Sequence, residues 1–352
     1  MARRPIKVLI VDDSALVREV LSRGLALDPD IEVVGAAPDP YTARDMIVRL
    51  RPDVLSLDVE LPRMDGVEFL RRLMPQHPLP VVMVSSMTES GKEVTIRALE
   101  AGAVDFVSKP TSDMSSGLRQ MLIELRTKIK IASTANVAHW KHSRRESRPA
   151  VPKGALLETT HKVVAIGAST GGTEALREVL APLPAQTPGV VVVQHMPPDF
   201  TRMFAERLNR VCLMEVREAS DGDRVVPGRI LIAPGDRHMR VRRSGSVYLV
   251  QLSDEPSVCG HKPSVDVLFR SVAATAGGNA VGVMLTGMGA DGADAMLAMR
   301  EAGARTMAQD EATSVVYGMP REAFLRGGAQ RQVSLGDIAG RILSALVDEE
   351  GR

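Results

Sequence analysis

The chain has 352 residues, of which 44% are hydrophobic and 25% are charged, a composition typical of folded globular proteins. Its length predicts about two domains. The formal net charge of +1 at pH 7 gives no broad electrostatic reason to bind nucleic acid or an acidic membrane surface.

Cysteine usage and the distribution of apolar residues bear on where the protein works. The two cysteines, Cys212 and Cys259, are too few for a disulfide framework or a cysteine zinc site, which fits a reducing compartment. No apolar run is long enough to cross a membrane, and the short run near the N-terminus ends in two aspartates, unlike a secretory signal. We therefore expect a cytoplasmic protein without membrane insertion.

From residue 7 to about residue 130, short β-branched runs alternate with amphipathic stretches of helical length. The strand-like runs are KVLIVDD, IEVVGAA, DVLSLDV, VVMVSS and DFVSKP. Strands separated by helices of this length indicate a parallel sheet that is covered on both faces. Five such β/α units predict one complete α/β domain.

The periodicity stops between about residues 132 and 160, where basic, serine and proline residues accumulate. This composition is typical of a solvated linker, and a docking patch is the alternative. After residue 160 the alternation resumes, with predicted helices over 173–183, 200–210 and 293–301 and a predicted hairpin between Met239 and Leu252. The predicted domains are therefore 1–131 and 161–352, both of α/β class with doubly wound parallel sheets, joined by a linker over 132–160.

Polar residues mark the strand ends of the first domain. Asp12 and Asp13 close the first strand, Asp58 the third and Ser85 the fourth, and Lys109 follows the fifth. Functional residues of doubly wound sheets gather beyond the carboxyl ends of their strands, and clustered carboxylates repel one another unless a hard cation joins them. The pattern predicts a Mg²⁺ site in which Asp58 attacks a phosphoryl donor and Lys109 neutralises the transferred oxygens. Taken singly, each aspartate is more typical of a helix cap or a turn, and it is the match of five polar residues to strand ends that favours the site.

The motifs VDDS, LDVELPRMDG, VSS and DFVSKP resemble the receiver domain of bacterial response regulators, which has a flavodoxin-like fold. The resemblance implies that Asp58 is phosphorylated by a histidine kinase. It also implies that Asp12, Asp13, Asp58 and the carbonyl group of Glu60 hold Mg²⁺.

The same resemblance implies a switch formed by three residues, Ser85, Phe106 and Lys109. Ser85 and Phe106 would rearrange on phosphorylation, in positions where many receivers have threonine and tyrosine. Phe106 lacks the hydroxyl group of tyrosine. A switch step that depends on that hydroxyl group is therefore not expected here.

In the second domain, Ser169 lies in the segment GASTGG, directly after an apolar strand and before a predicted helix. Glycines on both sides let a serine hydroxyl stand exposed, as in a nucleophile elbow, but a phosphate-binding turn requires the same residues. His195 and Asp291 follow two later strands, so the three residues can converge as nucleophile, general base and orienting acid. Alternatively, His195 is a structural histidine and Asp291 caps the helix that begins at Ala293.

The chain order Ser, His, Asp differs from the Ser, Asp, His order of α/β-hydrolases, which argues against an ordinary lipase or esterase. Together with the segments QHMPPDFT, APGDRHM, HKPSVDVLF and LTGMGADG, the region from about 162 to 346 resembles the Rossmann-like catalytic domain of the chemotaxis protein-glutamate methylesterases, the CheB family. With the receiver, the resemblance covers nearly the whole chain. It implies demethylation, and deamidation of glutamines, on methyl-accepting chemotaxis receptors, with no cofactor for the hydrolysis. It also implies activation by phosphorylation of the receiver.

The resemblance implies specific roles for residues of the second domain. Ser169 would be the nucleophile, His195 the base and Asp291 the residue that orients the imidazole. Thr170 and the backbone N–H of Met288 are the candidates for stabilising the oxyanion.

Three further residues, His261, Pro263 and Asp266, match the family pattern, and both packing and substrate contact remain open for them. Two other functions also remain open for the second domain. The first is a nucleotide-binding or scaffold module in which Ser169 holds a phosphate. The second is a DNA-binding output, which the balanced charge disfavours.

Overall fold

The structure is a computed structural model that describes residues 4–86, 88–110, 114–138 and 161–347. The chain divides into two compact units, Met1–Arg145 and Glu146–Arg352. Most of the predicted linker, residues 139–160, lies outside the described residues. The domain boundaries at 131 and 161 therefore stay predictions.

Where the structure describes the first unit, it contains five strands and five α-helices in strict alternation. The strands are β1 (Ile6–Val11), β2 (Ile31–Ala37), β3 (Val54–Asp58), β4 (Val81–Ser85) and β5 (Asp105–Ser108). The helices are α1 (Ala15–Ala26), α2 (Pro40–Leu50), α3 (Gly66–Gln76), α4 (Glu89–Glu100) and α5 (Met114–Ala132). All strand pairs are parallel in the order β2-β1-β3-β4-β5, which confirms the flavodoxin-like doubly wound sheet.

Side-chain caps fix where the helices of this unit begin. The Ser14 hydroxyl accepts a hydrogen bond from the backbone N–H of Val17, and the Asp65 carboxylate accepts one from Glu68. Such caps satisfy N–H groups that have no partner inside the helix. Because Ser14 and Asp65 both stand in loops that follow the carboxyl ends of strands, each helix starts beside the edge where the predicted acidic site lies.

The described residues of the second unit form ten strands and six α-helices. The strands are β6 (Val163–Ala168), β7 (Gly189–Gln194), β8 (Glu215–Glu218), β9 (Arg224–Val225), β10 (Arg229–Ile232), β11 (His238–Ser244), β12 (Val247–Ser253), β13 (Ala280–Met284), β14 (Arg305–Gln309) and β15 (Arg331–Val333). The helices are α6 (Gly172–Leu180), α7 (Phe200–Asn209), α8 (Val265–Ala276), α9 (Ala293–Glu301), α10 (Met319–Leu325) and α11 (Leu335–Val347).

Seven of these strands form one parallel sheet in the order β15-β14-β13-β6-β7-β10-β8. The chain runs outward from β6 through β7 and then returns to place β13 on the other side of β6. The strand order therefore reverses between β6 and β13, and crevices at such reversal points are where open α/β sheets bind ligands. The fold class predicted for this domain is confirmed.

The predicted hairpin is also confirmed, because β11 and β12 pair antiparallel with Met239 opposite Leu252. Helix α9 has the predicted bounds, whereas α6 ends at Leu180, short of the predicted residue 183. The predicted elements do not include β8, β9, β14, β15, α8, α10 and α11. Among the described residues, no helix combines the length and the apolar character that a membrane span requires.

Candidate active site and phosphoacceptor site

Three adjacent strand ends form the candidate active site of the second unit. Ser169 follows β6 and His195 follows β7, and Asp291 lies in the loop after β13. Since β6 lies between β7 and β13, the three residues follow neighbouring strands at the reversal point of the sheet. The structure thus places the three residues that the sequence singled out at one edge of the sheet, and it joins His195 to Asp291 by a hydrogen bond.

The backbone around Ser169 makes a tight turn from strand to helix. Its N–H donates to the carbonyl oxygen of Thr286 at 3.0 Å, and its own carbonyl accepts from the N–H of Gly172 at 2.7 Å. Gly171 has a φ of +77°, and a Cβ at this position would lie 2.6 Å from the Cβ of Val315. Glycine is required here for both conformation and space, which leaves the Ser169 side chain half-buried at the start of α6.

Gln194 is a site residue that the sequence reasoning missed. Its side-chain amide donates to the carbonyl oxygens of Ser169 at 2.9 Å and His195 at 3.2 Å. With only 3% exposure, it holds the loops after β6 and β7 together from inside the protein. The sequence feature that marks it is a polar residue at the end of the otherwise apolar run VVVVQ. A buried amide must satisfy its hydrogen bonds, so a glutamine at this position indicates specific partners.

His195 and Asp291 form a buried hydrogen-bonded pair. The Nε2 atom of His195 lies 2.8 Å from Oδ2 of Asp291, and their side chains are 8% and 1% exposed. Burial by itself raises the pKa of Asp291, but hydrogen bonds from His195, Ser264 and Val265 lower it below its ordinary value. Asp291 is therefore a carboxylate at neutral pH and can only accept hydrogen bonds.

This charge state fixes the tautomer of the neutral imidazole of His195. Because the carboxylate accepts, Nε2 carries the proton, and the lone pair is left on Nδ1. The Nδ1 atom is buried and has no hydrogen-bond partner among the described residues. An unpartnered basic nitrogen next to the strand end that carries Ser169 is what a general base for the serine hydroxyl requires.

Asp291 is held by the N-terminus of α8. Its Oδ1 accepts from the hydroxyl of Ser264 at 2.7 Å and from the N–H of Asp266 at 3.1 Å, and its Oδ2 accepts from the N–H of Val265 at 2.7 Å. The alternative that Asp291 caps α9 is wrong, because the residue at that cap position is Gly292, without a side-chain bond. The positive end of the α8 dipole adds to the stabilisation of the carboxylate.

The candidate oxyanion donors differ in their surroundings. The side chain of Met288 is 46% exposed, and no acceptor binds its backbone N–H in the part of the chain that the structure describes. The preceding residue, Gly287, packs so closely on Ser169 that a Cβ there would lie 2.7 Å from the serine Cβ. Thr170 is buried, and its carbonyl oxygen accepts from the hydroxyl of Thr286 at 3.0 Å. The roles of Met288 and Thr170 stay predictions.

The three other residues that match the family pattern lie in the segment from His261 to the first turn of α8. The ring of His261 stacks on the ring of His195, and Pro263 follows a cis peptide bond. The carboxylate of Asp266 accepts from Arg270 at 2.6 Å and from the N–H of Ala295 at 3.2 Å. Asp266 therefore joins α8 to α9 and has a packing role.

The first unit places the predicted acidic residues at one edge of its sheet. Carboxylate oxygens of Asp12, Asp13 and Asp58 lie within 4.8 Å of one another. The Nζ of Lys109 lies 2.9 Å from Asp58 and 3.2 Å from Asp12. Oxygen donors at this spacing are the ligand type that Mg²⁺ prefers, so these residues fit a magnesium ion.

The ionisation of Asp58 reflects this crowded environment. Burial raises its pKa to about 6, although Lys109 works in the opposite direction. Burial lowers the pKa of Lys109 by itself, but the neighbouring Asp58 and Asp12 carboxylates raise it above its ordinary value. The site thus has more buried negative charge than one lysine compensates, which is a second indication of a cation site.

The predicted switch residues lie on β4, β5 and the loops that follow. The buried hydroxyl of Ser85 accepts from Thr95 at 2.5 Å and donates to the carbonyl oxygen of Gly91 at 3.2 Å, so it is engaged with α4. Phe106 is 4% exposed, and the Nζ of Lys128 lies 5.1 Å from its ring centroid.

Glu60 contributes to the acidic edge in two ways that the structure shows. Its side chain accepts a hydrogen bond from the hydroxyl of Ser86 at 3.0 Å. A backbone hydrogen bond from Glu60 to the Asp58 carboxylate acts to lower the pKa of Asp58. The role of the Glu60 carbonyl as a metal ligand stays a prediction.

Comparison with known proteins covers both units. Family profiles match residues 164–342 as CheB methylesterase and residues 8–136 as a response regulator receiver domain. The chain is 64% identical over 350 residues to a protein-glutamate methylesterase/protein-glutamine glutaminase of Syntrophotalea carbinolica, covering 97% of this chain and 98% of the relative. It is 53% identical over 341 residues to the protein of that name in Escherichia coli strain K12, covering 97% of both. The crystal structure of the Thermotoga maritima CheB methylesterase catalytic domain matches with a TM-score of 0.52 and 34% identity, over 53% of this chain and 98% of that one.

Proposed function

This chain belongs to the CheB family of methylesterases with a response-regulator receiver domain, and we propose that it hydrolyses glutamyl methyl esters on methyl-accepting chemotaxis receptors with Ser169, His195 and Asp291 as its catalytic residues. One observation carries the assignment of these residues. His195 donates from Nε2 to a buried carboxylate and keeps an unpartnered, basic Nδ1 beside the strand end of Ser169. Family membership argues against the nucleotide-binding and DNA-binding alternatives for the second domain.

Acylation follows from this arrangement. The Ser169 oxygen attacks the ester carbonyl while its proton passes to Nδ1 of His195, and Asp291 stabilises the imidazolium that results. Charge on the carbonyl oxygen is stabilised by N–H donors, of which the free N–H of Met288 is one candidate, and a donor of this kind is worth roughly 2.7–4 kcal/mol. His195 then protonates the leaving oxygen, and methanol departs.

Deacylation uses the same residues in the same order. His195 removes a proton from a water molecule, whose oxygen attacks the acyl carbonyl. The bond to the Ser169 oxygen then breaks, His195 returns the proton to that oxygen, and glutamate is released. A primary amide reaches the same acyl-enzyme with loss of ammonia, provided that His195 protonates the amide nitrogen. The relatives from S. carbinolica and E. coli carry both activities in their names, which supports glutamine deamidation as the second activity of this chain.

The receiver supplies the proposed regulation. Asp58 would accept a phosphoryl group from a histidine kinase, and Asp12, Asp13, Asp58 and the Glu60 carbonyl would hold Mg²⁺. When bound, the metal neutralises charge on the transferred oxygens. Lys109 adds a positive charge at the same carboxylate, at 2.9 Å from Asp58.

Phosphorylation would then shift the receiver between two states. In the structure, Ser85 is bound to Thr95 and Gly91 of α4, so its hydroxyl must leave these partners to reach a phosphoryl group on Asp58. Rearrangement of Ser85 with Phe106 would change the surface of the receiver and raise esterase activity. The cytoplasm, where receptor helices and a histidine kinase are accessible, is the proposed location.

The test is methanol release from a methylated receptor fragment by wild type and Ser169→Ala, each with and without Mg²⁺ and a small-molecule phosphodonor. We expect release by wild type that rises with the phosphodonor and disappears in Ser169→Ala. Asp58→Asn is the matched control, because it removes the phosphoacceptor and leaves the esterase residues unchanged. If folded wild type releases no methanol under either condition, the proposed function is wrong.

A further inference from the structure

His261 lies directly on the catalytic histidine. The ring centroids of His195 and His261 are 3.8 Å apart, and the rings are within 7° of parallel. The two residues come from separate parts of the fold, since His195 follows β7 and His261 lies in the segment between β12 and α8. The stack is therefore a feature of the tertiary structure.

The segment that carries His261 is a tight turn that is held by three hydrogen bonds. Val258 and His261 exchange two backbone hydrogen bonds of 3.1 and 2.9 Å around Cys259 and Gly260, whose φ angles are +52° and +78°. Positive φ at both central residues is the geometry of a type I′ turn. The Nδ1–H of His261 donates to the carbonyl oxygen of Cys259 at 2.9 Å, which fixes the orientation of the ring.

Hydrogen bonding alone does not fix the ring of His195. The backbone fixes its Cβ and Asp291 fixes its Nε2, but the ring can still tilt about the line that joins these two atoms. That tilt moves Nδ1, the basic atom, relative to the Ser169 hydroxyl. A parallel ring at 3.8 Å blocks the tilt on one face.

The charge state of His261 suits this role. Two ionisable side chains, those of His195 and Asp291, act electrostatically on His261. Burial lowers the pKa of His261, and the neighbouring His195 lowers it further, so its ring is neutral at neutral pH. A neutral ring can remain stacked when His195 takes the serine proton, whereas a charged ring would repel it.

We propose that His261 is a positioning residue for the esterase reaction: its imidazole, stacked on His195, keeps the catalytic ring in the plane in which Nδ1 meets the Ser169 hydroxyl. The proposal rests on the proposed function of the Ser169 site. In this proposal the flat ring of His261 is the group that limits the tilt of the His195 ring. Its hydrogen bond to Cys259 serves only to orient that ring.

Two substitutions separate the ring from the hydrogen bond. His261→Phe keeps a flat ring and loses the bond to Cys259, whereas His261→Asn keeps an amide N–H near the position of Nδ1 and loses the ring. We expect His261→Phe to retain kcat within about threefold of wild type and His261→Asn to lose about 10- to 100-fold in kcat with little change in KM, since a small misplacement of a catalytic group has this cost. His261→Ala serves as a second ringless variant, and thermal unfolding checks that all three proteins fold.

The readouts are methanol release and the rate at which a fluorophosphonate labels Ser169 in the full chain. Labelling reports activation of the serine without the receptor. If the variants show the expected labelling rates but no protein releases methanol, the proposed substrate is wrong and the role of His261 is unaffected. The proposal is overturned if a folded His261→Asn labels as fast as wild type, or if His261→Phe falls as far as His261→Asn. The second result would mean that the hydrogen bond to Cys259, and not the ring, positions His195.

Discussion

Replacing Asp291 by asparagine tests how the active site holds its catalytic histidine. Two pairs of donors converge on the carboxylate: the Ser264 hydroxyl and the Asp266 N–H on Oδ1, and the Val265 N–H and His195 Nε2 on Oδ2. The Cys259 thiol also hydrogen-bonds to this carboxylate. An amide has only one oxygen, so its NH₂ group must face one of these two pairs. The choice decides which tautomer His195 adopts.

The distances favour the NH₂ group at the Oδ1 position. There it meets the Ser264 hydroxyl, which can turn to accept, and the Asp266 N–H, whose bond is already the longest of the four at 3.1 Å. At the Oδ2 position it would oppose the Val265 N–H at 2.7 Å. His195 would therefore keep its proton on Nε2, and the variant would lose the charge of Asp291 without losing the base.

We expect the loss of charge to remove about 1.5–3 kcal/mol, the usual worth of a hydrogen bond to a charged group. At 1.36 kcal/mol per decade this is a decrease of roughly 10- to 150-fold in kcat. A change of tautomer would cost far more, about 10⁴-fold in the serine protease for which it was measured. A similar loss in unfolding free energy would lower the Tm by roughly 3–12 °C for a domain of this size.

Methanol release from a methylated receptor fragment gives kcat, and calorimetry gives the Tm. Because hydrogen bonds lower the pKa of Asp291 from 3.8, its contribution to stability is present above about pH 4 and disappears as the pH falls further, so the difference in Tm should narrow in acid. Asp266→Asn is the matched control, since the Asp266 carboxylate binds Arg270 and Ala295 and not His195. A loss beyond about 10³-fold would refute the predicted amide orientation, and wild-type kcat would refute the role of Asp291.

Three further predictions concern the phosphoacceptor site, the side chain of Gln194 that joins the loops after β6 and β7, and the oxyanion donor. Because burial raises the pKa of Asp58 to about 6, ionisation of its carboxyl group destabilises the fold increasingly as the pH rises from about 4 to 6. Mg²⁺ should therefore raise the Tm at pH 8, where Asp58 is ionised, but little at pH 5, where it is mostly protonated. Asp58→Asn should weaken the effect of Mg²⁺ at pH 8. Gln194→Leu should lower the unfolding free energy by about 1–3 kcal/mol and reduce kcat, since it removes the side-chain donor from the carbonyl oxygens of Ser169 and His195, and the Ser169 carbonyl then keeps the N–H of Gly172. An unchanged chemical denaturation midpoint would contradict this. Met288→Ala should leave kcat nearly unchanged in the methanol assay if the backbone N–H is the group that acts, and a large loss would assign the role to the side chain.

Much of the site could be predicted from the sequence because strand ends are a local feature. Apolar runs of strand length show where each strand stops, and the carboxyl ends of parallel strands meet at one edge of a sheet. Asp12 and Asp58 in one unit, and Ser169 and His195 in the other, were found in this way. The regular β/α alternation likewise determined the fold class of both units.

The tertiary structure decided what each of these residues contacts. Asp291 binds the N-terminus of α8, 25 to 27 residues earlier in the chain, although the sequence equally allowed a cap on α9. The clamp made by Gln194 and the stacking of His261 on His195 also join segments that no local pattern connects. Periodicity records which face of an element is buried, but the partner on that face depends on how distant segments pack, and for this reason the tautomer of His195 followed only from the folded chain.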